Sequence, residues 1–196
     1  MGNEQYQQYI ENELIKIRFD KQMLEEFTGY SVDNPQEYFK QHKRAKKPPF
    51  ENIWGKRRNG TLPSWNRFLN VKDRVMQNNM KQHIADYTEY CLVRQGIPRA
   101  YLDKYIVLVA QYKPDKSKSD NDNSCVKPSL DGCTHYEMWK DDNFMHMRLY
   151  LSFSVYDKQD PHTDLLVFPI YEEHTFGEVM QHVSQYVVNL EEEYKI

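Results

Sequence analysis

Tyr105-Ile106-Val107-Leu108-Val109 is a short continuous apolar run, and residues 113 to 143 after it are its opposite, KPDKSKSDNDNSCVKPSLDGCTHYEMWKDDN. A run of that length, rich in Val and Ile, reads as a buried strand, so a sheet has to form around it. Its end delivers a polar, acidic loop, and ends of buried strands are where ligand sites collect. Asp120 and Asp122 alternate along an extended segment and therefore point to one face. Lys127 stands at the start of a predicted helix, Cys125 to Tyr136, which also carries Asp131. Trp139-Lys140-Asp141-Asp142 then leads into an alternating strand. Its residues Met145, Met147, Leu149, Leu151, Phe153 and Val155 form one core-facing set.

Carboxylates held close together repel one another unless a cation lies between them, and hard oxygen donors of this kind suit Mg²⁺ or Mn²⁺. The stretch is read as a divalent-metal site for phosphodiester hydrolysis. A plainer reading stands beside it: Asp, Asn and Ser are ordinary turn and cap residues, so KSKSDNDNS also fits a polar loop with Asn123 or Ser124 as helix N-cap. Adjacent strand residues face opposite ways, so only one of Asp141 and Asp142 is expected to face the site. His135 and His146 flank Trp139 without any ligand spacing and are expected to be surface or packed histidines. No Gly-rich phosphate loop, nucleophile elbow or Cys/His triad is present in the sequence.

Taken in order, Pro114, Asp120-Asn121-Asp122-Asn123, Lys127, Leu130-Asp131 and Trp139-Lys140-Asp141-Asp142 resemble the active-site segment of the RusA-like Holliday junction resolvases, the crossover junction endodeoxyribonucleases. A second landmark of that family is matched by Pro48-Pro49-Phe50-Glu51-Asn52, Trp54 and Lys56-Arg57-Arg58, and together the two span roughly residues 46 to 172. The interval from Asn123 to Lys127 is one residue longer than the family's usual spacing, which turns a helix by about 100° unless a bulge absorbs it. The basic segment 41–47 also stands where the family has an apolar strand. The resemblance implies Asp120, Asp122, Lys127 and Asp142 as catalytic residues. It implies Asp120, Asp122, Asp142 and Asp131 around Mg²⁺ or Mn²⁺, and Asn52, Lys46, Lys47, Lys56, Arg57, Arg58 and Arg67 against DNA. The implied activity is paired nicking of Holliday junctions by a homodimer, in phage or mobile-element recombination or replication. Two other readings remain open: a nuclease of flaps or other branched DNA, and a catalytically lapsed relative that binds DNA or a protein partner.

A net charge of -3 is unusual for a DNA-binding chain, so its distribution matters. Residues 1–37 hold three Lys and Arg against eight Asp and Glu, and a further acidic run, Glu191-Glu192-Glu193, lies near the C-terminus. Residues 40–74 hold eleven Lys and Arg against only Glu51 and Asp73, a balance of +9 interleaved with Trp54, Trp65 and Phe68. That is what a phosphate-binding surface needs, although a charge run is as often simply a solvated face. Cys91, Cys125 and Cys133 are odd in number and lack a zinc spacing, so reduced, packed thiols in a cytoplasmic protein are expected. No apolar run has the length of a membrane span, and the polar first residues do not read as a signal peptide.

The remaining segments fill in an α+β domain, a mixed sheet with helices packed on it and helical extensions at both ends. Tyr6, Ile10, Leu14, Ile17, Leu24 and Phe27 are spaced for one helix from Gln5 to Phe27, with a second short helix after Asn34-Pro35. This acidic extension, residues 1–45, is expected to cover a sheet edge, join a dimer contact or dock a partner protein. The nuclease domain is placed at 46–174, with a hairpin turn at Asn59-Gly60 and a helix from Ser64 to Arg94. Leu165 to Ile170 is expected to pair back on the 145–156 strand, with Pro169 marking an edge. Thr175 and Glu178 form a capping box that opens a last helix, in residues 175–196.

Overall fold

The computed structural model describes residues 3–28, 53–54, 61–63, 68–114 and 126–194. Among them are four strands, β1 (Ile15–Phe19), β2 (Tyr105–Lys113), β3 (Met147–Tyr156) and β4 (His162–Pro169), in the sheet order β1-β4-β2-β3. Five helices accompany them: α1 (Asn3–Asn12), α2 (Lys21–Thr28), α3 (Arg74–Arg94), α4 (Lys127–His135) and α5 (Phe176–Tyr194). β2 pairs parallel with β3 and antiparallel with β4, so the sheet is mixed and the fold is α+β, as expected.

The apolar run is continuous because β2 is covered on both faces. Tyr105, Val107 and Val109 are buried among α3 and α4 residues, including Ile84, Tyr87, Cys91, Leu130 and Cys133. Ile106, Leu108, Ala110 and Tyr112 are buried with Val179, Val183 and Leu190 of α5 and Tyr9 of α1. Cys91 and Cys133 are free and buried, and burial pushes both thiols up.

The N-terminal stretch departs from the single helix expected over Gln5 to Phe27. It is a helix, a strand and a helix, and β1 is the outer strand of the main sheet, antiparallel to β4. Ile15, Ile17 and Phe19 also alternate, and β4, whose eight residues are all buried, has an edge that such a strand satisfies. Ile17, Phe19 and Leu24 are buried in the chain's own core. The apolar stripe is therefore largely consumed internally, and the stretch supplies the sheet edge instead of covering it. Lys16 Nζ lies 2.7 Å from the fully buried Asp164 of β4. The Gln95 amide brackets Arg18, accepting from its N–H at 2.9 Å and donating to its carbonyl at 2.9 Å.

Three further boundaries differ. β4 does not pair back on β3; it lies inside the sheet between β1 and β2. Pro169 is tolerated there because it is the last strand residue, and its carbonyl is used, accepting from Tyr9 OH at 2.8 Å. The helix expected from Ser64 has its α3 boundary at Arg74, where Asp73 caps it by accepting from the Val75 and Met76 N–H groups at 2.8 and 3.3 Å. The core-facing set of β3 splits at an irregularity where Tyr105 pairs Met147 but Ile106 pairs Leu149. Met147 consequently packs with the α3 and α4 core, Leu149, Leu151, Phe153 and Val155 with the α5 core, and Met145 is 57% exposed. The capping box is present: Thr175 N–H and Oγ1 donate to Glu178 at 2.7 and 2.8 Å, and Glu178 N–H donates back to Thr175 Oγ1 at 3.2 Å. The Asn34-Pro35 helix start, the Asn59-Gly60 turn and Cys125 lie outside the described residues. Among the described residues no helix is long and apolar enough to cross a membrane.

Two histidines make this packing sensitive to acid. Burial lowers the pKa of His83, opposed by Asp86, and lowers that of His182, aided by His174 and opposed by Glu178. His182 is 4% exposed and stacks on Tyr9 with ring centroids 4.3 Å apart, which holds α1 to α5. A histidine whose folded pKa is depressed contributes stability that is complete above the unfolded value of about 6.5 and falls away as pH drops below it. The Glu13 carboxyl, raised by burial, acts in the opposite sense. The thermal midpoint is therefore expected to fall by a few degrees between pH 7.5 and 5.5. His182→Phe, which keeps a ring against Tyr9, should flatten the dependence; a wild-type midpoint constant over that range would exclude this account.

Candidate active site

The site is assembled from the first turn of α4 and the segment between α4 and β3. α4 is seated on α3 by Gly132. A Cβ there would meet the Ala85 carbonyl oxygen at 2.7 Å and Thr88 Cβ at 2.9 Å, so only glycine allows the two helices this approach. Leu130 and Cys133 bury the same side of α4. Lys127 and Asp131, one turn apart, are left half-exposed, with Lys127 Nζ 2.9 Å from Asp131 Oδ1.

Trp139 fixes the next segment. It is buried, stacks on Tyr105 with centroids 4.5 Å apart, and donates from Nε1 to Thr134 Oγ1 at 2.8 Å. Its backbone bridges to Leu102, just ahead of β2. Tyr105 OH donates to the Asp141 carbonyl at 2.8 Å, tying the start of β2 to the carboxylate pair. Burial, with Asp142 nearby, raises the Tyr105 phenol well above its ordinary value, so it remains a donor.

The two carboxylates take different partners, although they lie in a bend ahead of β3 and not in a strand. Asp141 is used locally: Oδ1 accepts from the Asp142 N–H at 2.7 Å and Oδ2 from Asn143 Nδ2 at 2.8 Å. Asp142, its side chain 14% exposed, points to Lys127 and pairs with its ammonium group. Lys127 therefore lies between Asp131 and Asp142, which come from different elements. Burial alone would lower the Lys127 pKa, but the hydrogen bonds it donates to Asp131 and Asp142, with their charges, outweigh it and the net shift is upward. Lys127 thus faces one member of the second carboxylate pair, Asp142, while the interval before it lies outside the described residues. Asp131 also lines a cleft of ≈ 220 Å³ between α3 and α4, with Asn78, Lys81, Gln82, Ala85 and His135.

Of the residues singled out in the sequence, Lys127, Asp131 and Asp142 converge. Asp120, Asp122, Asn52, Lys46, Lys47, Lys56, Arg57, Arg58 and Arg67 lie outside the described residues. Trp54, from the basic block, is buried against Tyr87 in an edge-on contact at 5.2 Å, so it is a core residue. His135 faces Glu89 at 3.7 Å and His146 Nδ1 lies 2.8 Å from the Asp103 carbonyl, so neither joins the carboxylates. Among the described residues no group of three or more His, Cys, Asp or Glu side chains is arranged to hold a metal ion. Asp131 and Asp142 supply two hard oxygen donors, side by side on Lys127, and that donor chemistry fits Mg²⁺ or Mn²⁺. Sequence reasoning missed Tyr105, Thr134 and Gly132 as supports. Gly132 alone carried a signal, since a glycine inside a nine-residue helix costs about 1 kcal/mol against alanine unless close packing requires it.

The chain matches no protein-family model, and no curated protein is significantly similar to it.

Proposed function

We propose that this chain is a RusA-like, metal-dependent endodeoxyribonuclease that cuts branched DNA, with the four-way junction as its substrate. The observation that carries the reading is the convergence of Lys127 with Asp131 and Asp142 from separate elements, in the order and residue types that the resemblance requires. Asp142 and Asp131, together with Asp120 and Asp122, would hold Mg²⁺ or Mn²⁺. When bound, the ion supplies charge neutralisation and water activation for phosphodiester hydrolysis. Lys127, kept cationic by its two carboxylates, neutralises charge on the scissile phosphate. Tyr105 and Trp139 hold the Asp141-Asp142 backbone in place, and Asp141 fixes the turn. Asn52 and the basic residues Lys46, Lys47, Lys56, Arg57, Arg58 and Arg67 position the DNA through its phosphates. A homodimer supplies two equivalent sites related by a two-fold axis, the geometry that paired nicking needs.

The test is incubation of purified protein with an end-labelled four-way junction and Mg²⁺, beside duplex and flap controls, with light scattering for assembly. Paired symmetric nicks in the junction are expected. Cleavage of flaps alone would reassign the substrate, and binding without cleavage under Mg²⁺ or Mn²⁺ would make this a DNA-binding protein that has lost catalysis.

A further inference from the structure

Two residues beyond Asp142 the chain exposes Phe144 and Met145 side by side, at 81% and 57% of their surfaces. The turn that presents them is firmly held. Asn143 accepts the Met145 N–H on Oδ1 at 2.9 Å and donates from Nδ2 to Asp141 at 2.8 Å. Its carbonyl accepts from the N–H groups of His146 and Met147 at 3.1 and 2.9 Å. The exposed ring is thus carried by the same hydrogen bonds that orient the Asp141-Asp142 pair. Phe144 is the most exposed large apolar side chain among the described residues, and it stands beside the candidate carboxylates.

We propose that Phe144, flanked by Met145, stacks on an unpaired base of the DNA next to the scissile phosphate and so selects branched over duplex DNA. This rests on the nuclease reading of the site. With two trans peptides between them, the Cα atoms of Asp142 and Phe144 are within about 7.6 Å. That reach corresponds to a base about one or two steps from the phosphate at the carboxylates, given a strand rise of about 3.4 Å. In an intact duplex both faces of every base are covered by neighbours. At a branch point or in a flap a base face is free, and an aromatic side chain stacks on any base. Apolar side chains serve proteins in this way as wedges at base steps. Lys104 and Arg148, both exposed, adjoin the paired residues Tyr105 and Met147, with Asp103 exposed beside them and paired to Lys140.

The experiment measures affinity by fluorescence anisotropy in EDTA, with a four-way junction carrying 2-aminopurine at the branch and a duplex of the same sequence. Phe144→Ala is expected to weaken junction binding by roughly 5- to 150-fold, the value of one stacked base. Duplex affinity and the melting midpoint should stay unchanged, and 2-aminopurine quenching should be lost. Phe144→Trp should retain both binding and quenching. Equal junction affinity for wild type and Phe144→Ala, or equal losses on junction and duplex, overturns the proposal. So does a variant that loses self-association in light scattering while binding junctions normally, which would assign the tip to a second copy of the chain. Wild type that binds neither DNA sinks the nuclease reading first and this inference with it.

Discussion

Asp142→Asn is expected to reduce Mg²⁺-dependent cleavage of a four-way junction by more than about 100-fold while junction binding persists or tightens. Substitution of residues that merely orient a metal ligand costs roughly 10- to 100-fold in metal affinity or activity, and loss of a ligand costs more. Binding persists because removing a carboxylate also removes its repulsion of phosphate. The fold should tolerate the change, since Asn keeps the size and an oxygen that Lys127 can donate to, and Lys127 is itself 54% exposed. Asp141→Asn is the matched control. Its carboxylate serves the Asp142 N–H and Asn143 Nδ2, and an amide oxygen can replace one of those acceptors, so a smaller loss is expected. Equal cleavage by Asp142→Asn and wild type, or a larger loss from Asp141→Asn, would show that the reactive carboxylate is elsewhere.

The part of the site that was legible in the sequence is the part fixed by local periodicity. Strand alternation was expected to part Asp141 from Asp142, and their contacts do differ. They lie in a bend ahead of β3, however, where the hydrogen bonds of Asp141 to the Asp142 N–H and Asn143 part them instead. Lys127 and Asp131 were read into one helix, and their spacing of four lets them pair there at 2.9 Å. The capping box at Thr175 and Glu178 was legible because both partners lie within one turn. What supports these residues from a distance was not. Nothing local to Tyr105 announces that its hydroxyl reaches the Asp141 carbonyl, 36 positions on. Tyr101 and Glu137 adopt φ of 49° and 65°, a region that sequence reading reserves for Gly and Asn. They are held there by each other, with Tyr101 OH donating to Glu137 at 2.7 Å and the Tyr101 N–H to the Glu137 carbonyl at 3.2 Å.

The sheet shows the same limit. The apolar run of β2 was sufficient to predict a buried strand, but strand order depends on which edges remain to be paired. Residues 15–19 satisfy a helical stripe and a strand alternation equally well, and the buried outer edge of β4 decides between them. Pro169 suggested an edge strand because a proline cannot donate to a ladder. Its position as the last residue of β4 removes that conflict, and the sequence does not say where a strand ends within one residue.

Gly132→Ala and Gly177→Ala are expected to change stability in opposite directions although both lie in helices. Alanine is favoured over glycine in a helix by about 1 kcal/mol. At Gly177, in the first turn of α5, an added Cβ meets nothing nearer than Thr175 Oγ1 at 4.0 Å, so that gain should appear as a midpoint raised by a few degrees. At Gly132 the Cβ would press on the Ala85 carbonyl oxygen at 2.7 Å and on Thr88 Cβ at 2.9 Å, atoms that no rotamer change can move aside. Overpacking of this kind costs about 1–3 kcal/mol, enough to cancel or exceed the helical gain, and α4 has to shift off α3 to relieve it. Because Tyr105 of β2 holds the Asp141 carbonyl while Trp139 is tied to α4 through Thr134, that shift disturbs the placing of Lys127 and Asp131 against Asp142. The Gly132→Ala protein should therefore unfold at lower urea than wild type and, in the junction assay, lose more activity than its lower stability explains. A Gly132→Ala protein as stable as Gly177→Ala would mean that the α3–α4 approach is not what holds Lys127 opposite Asp142.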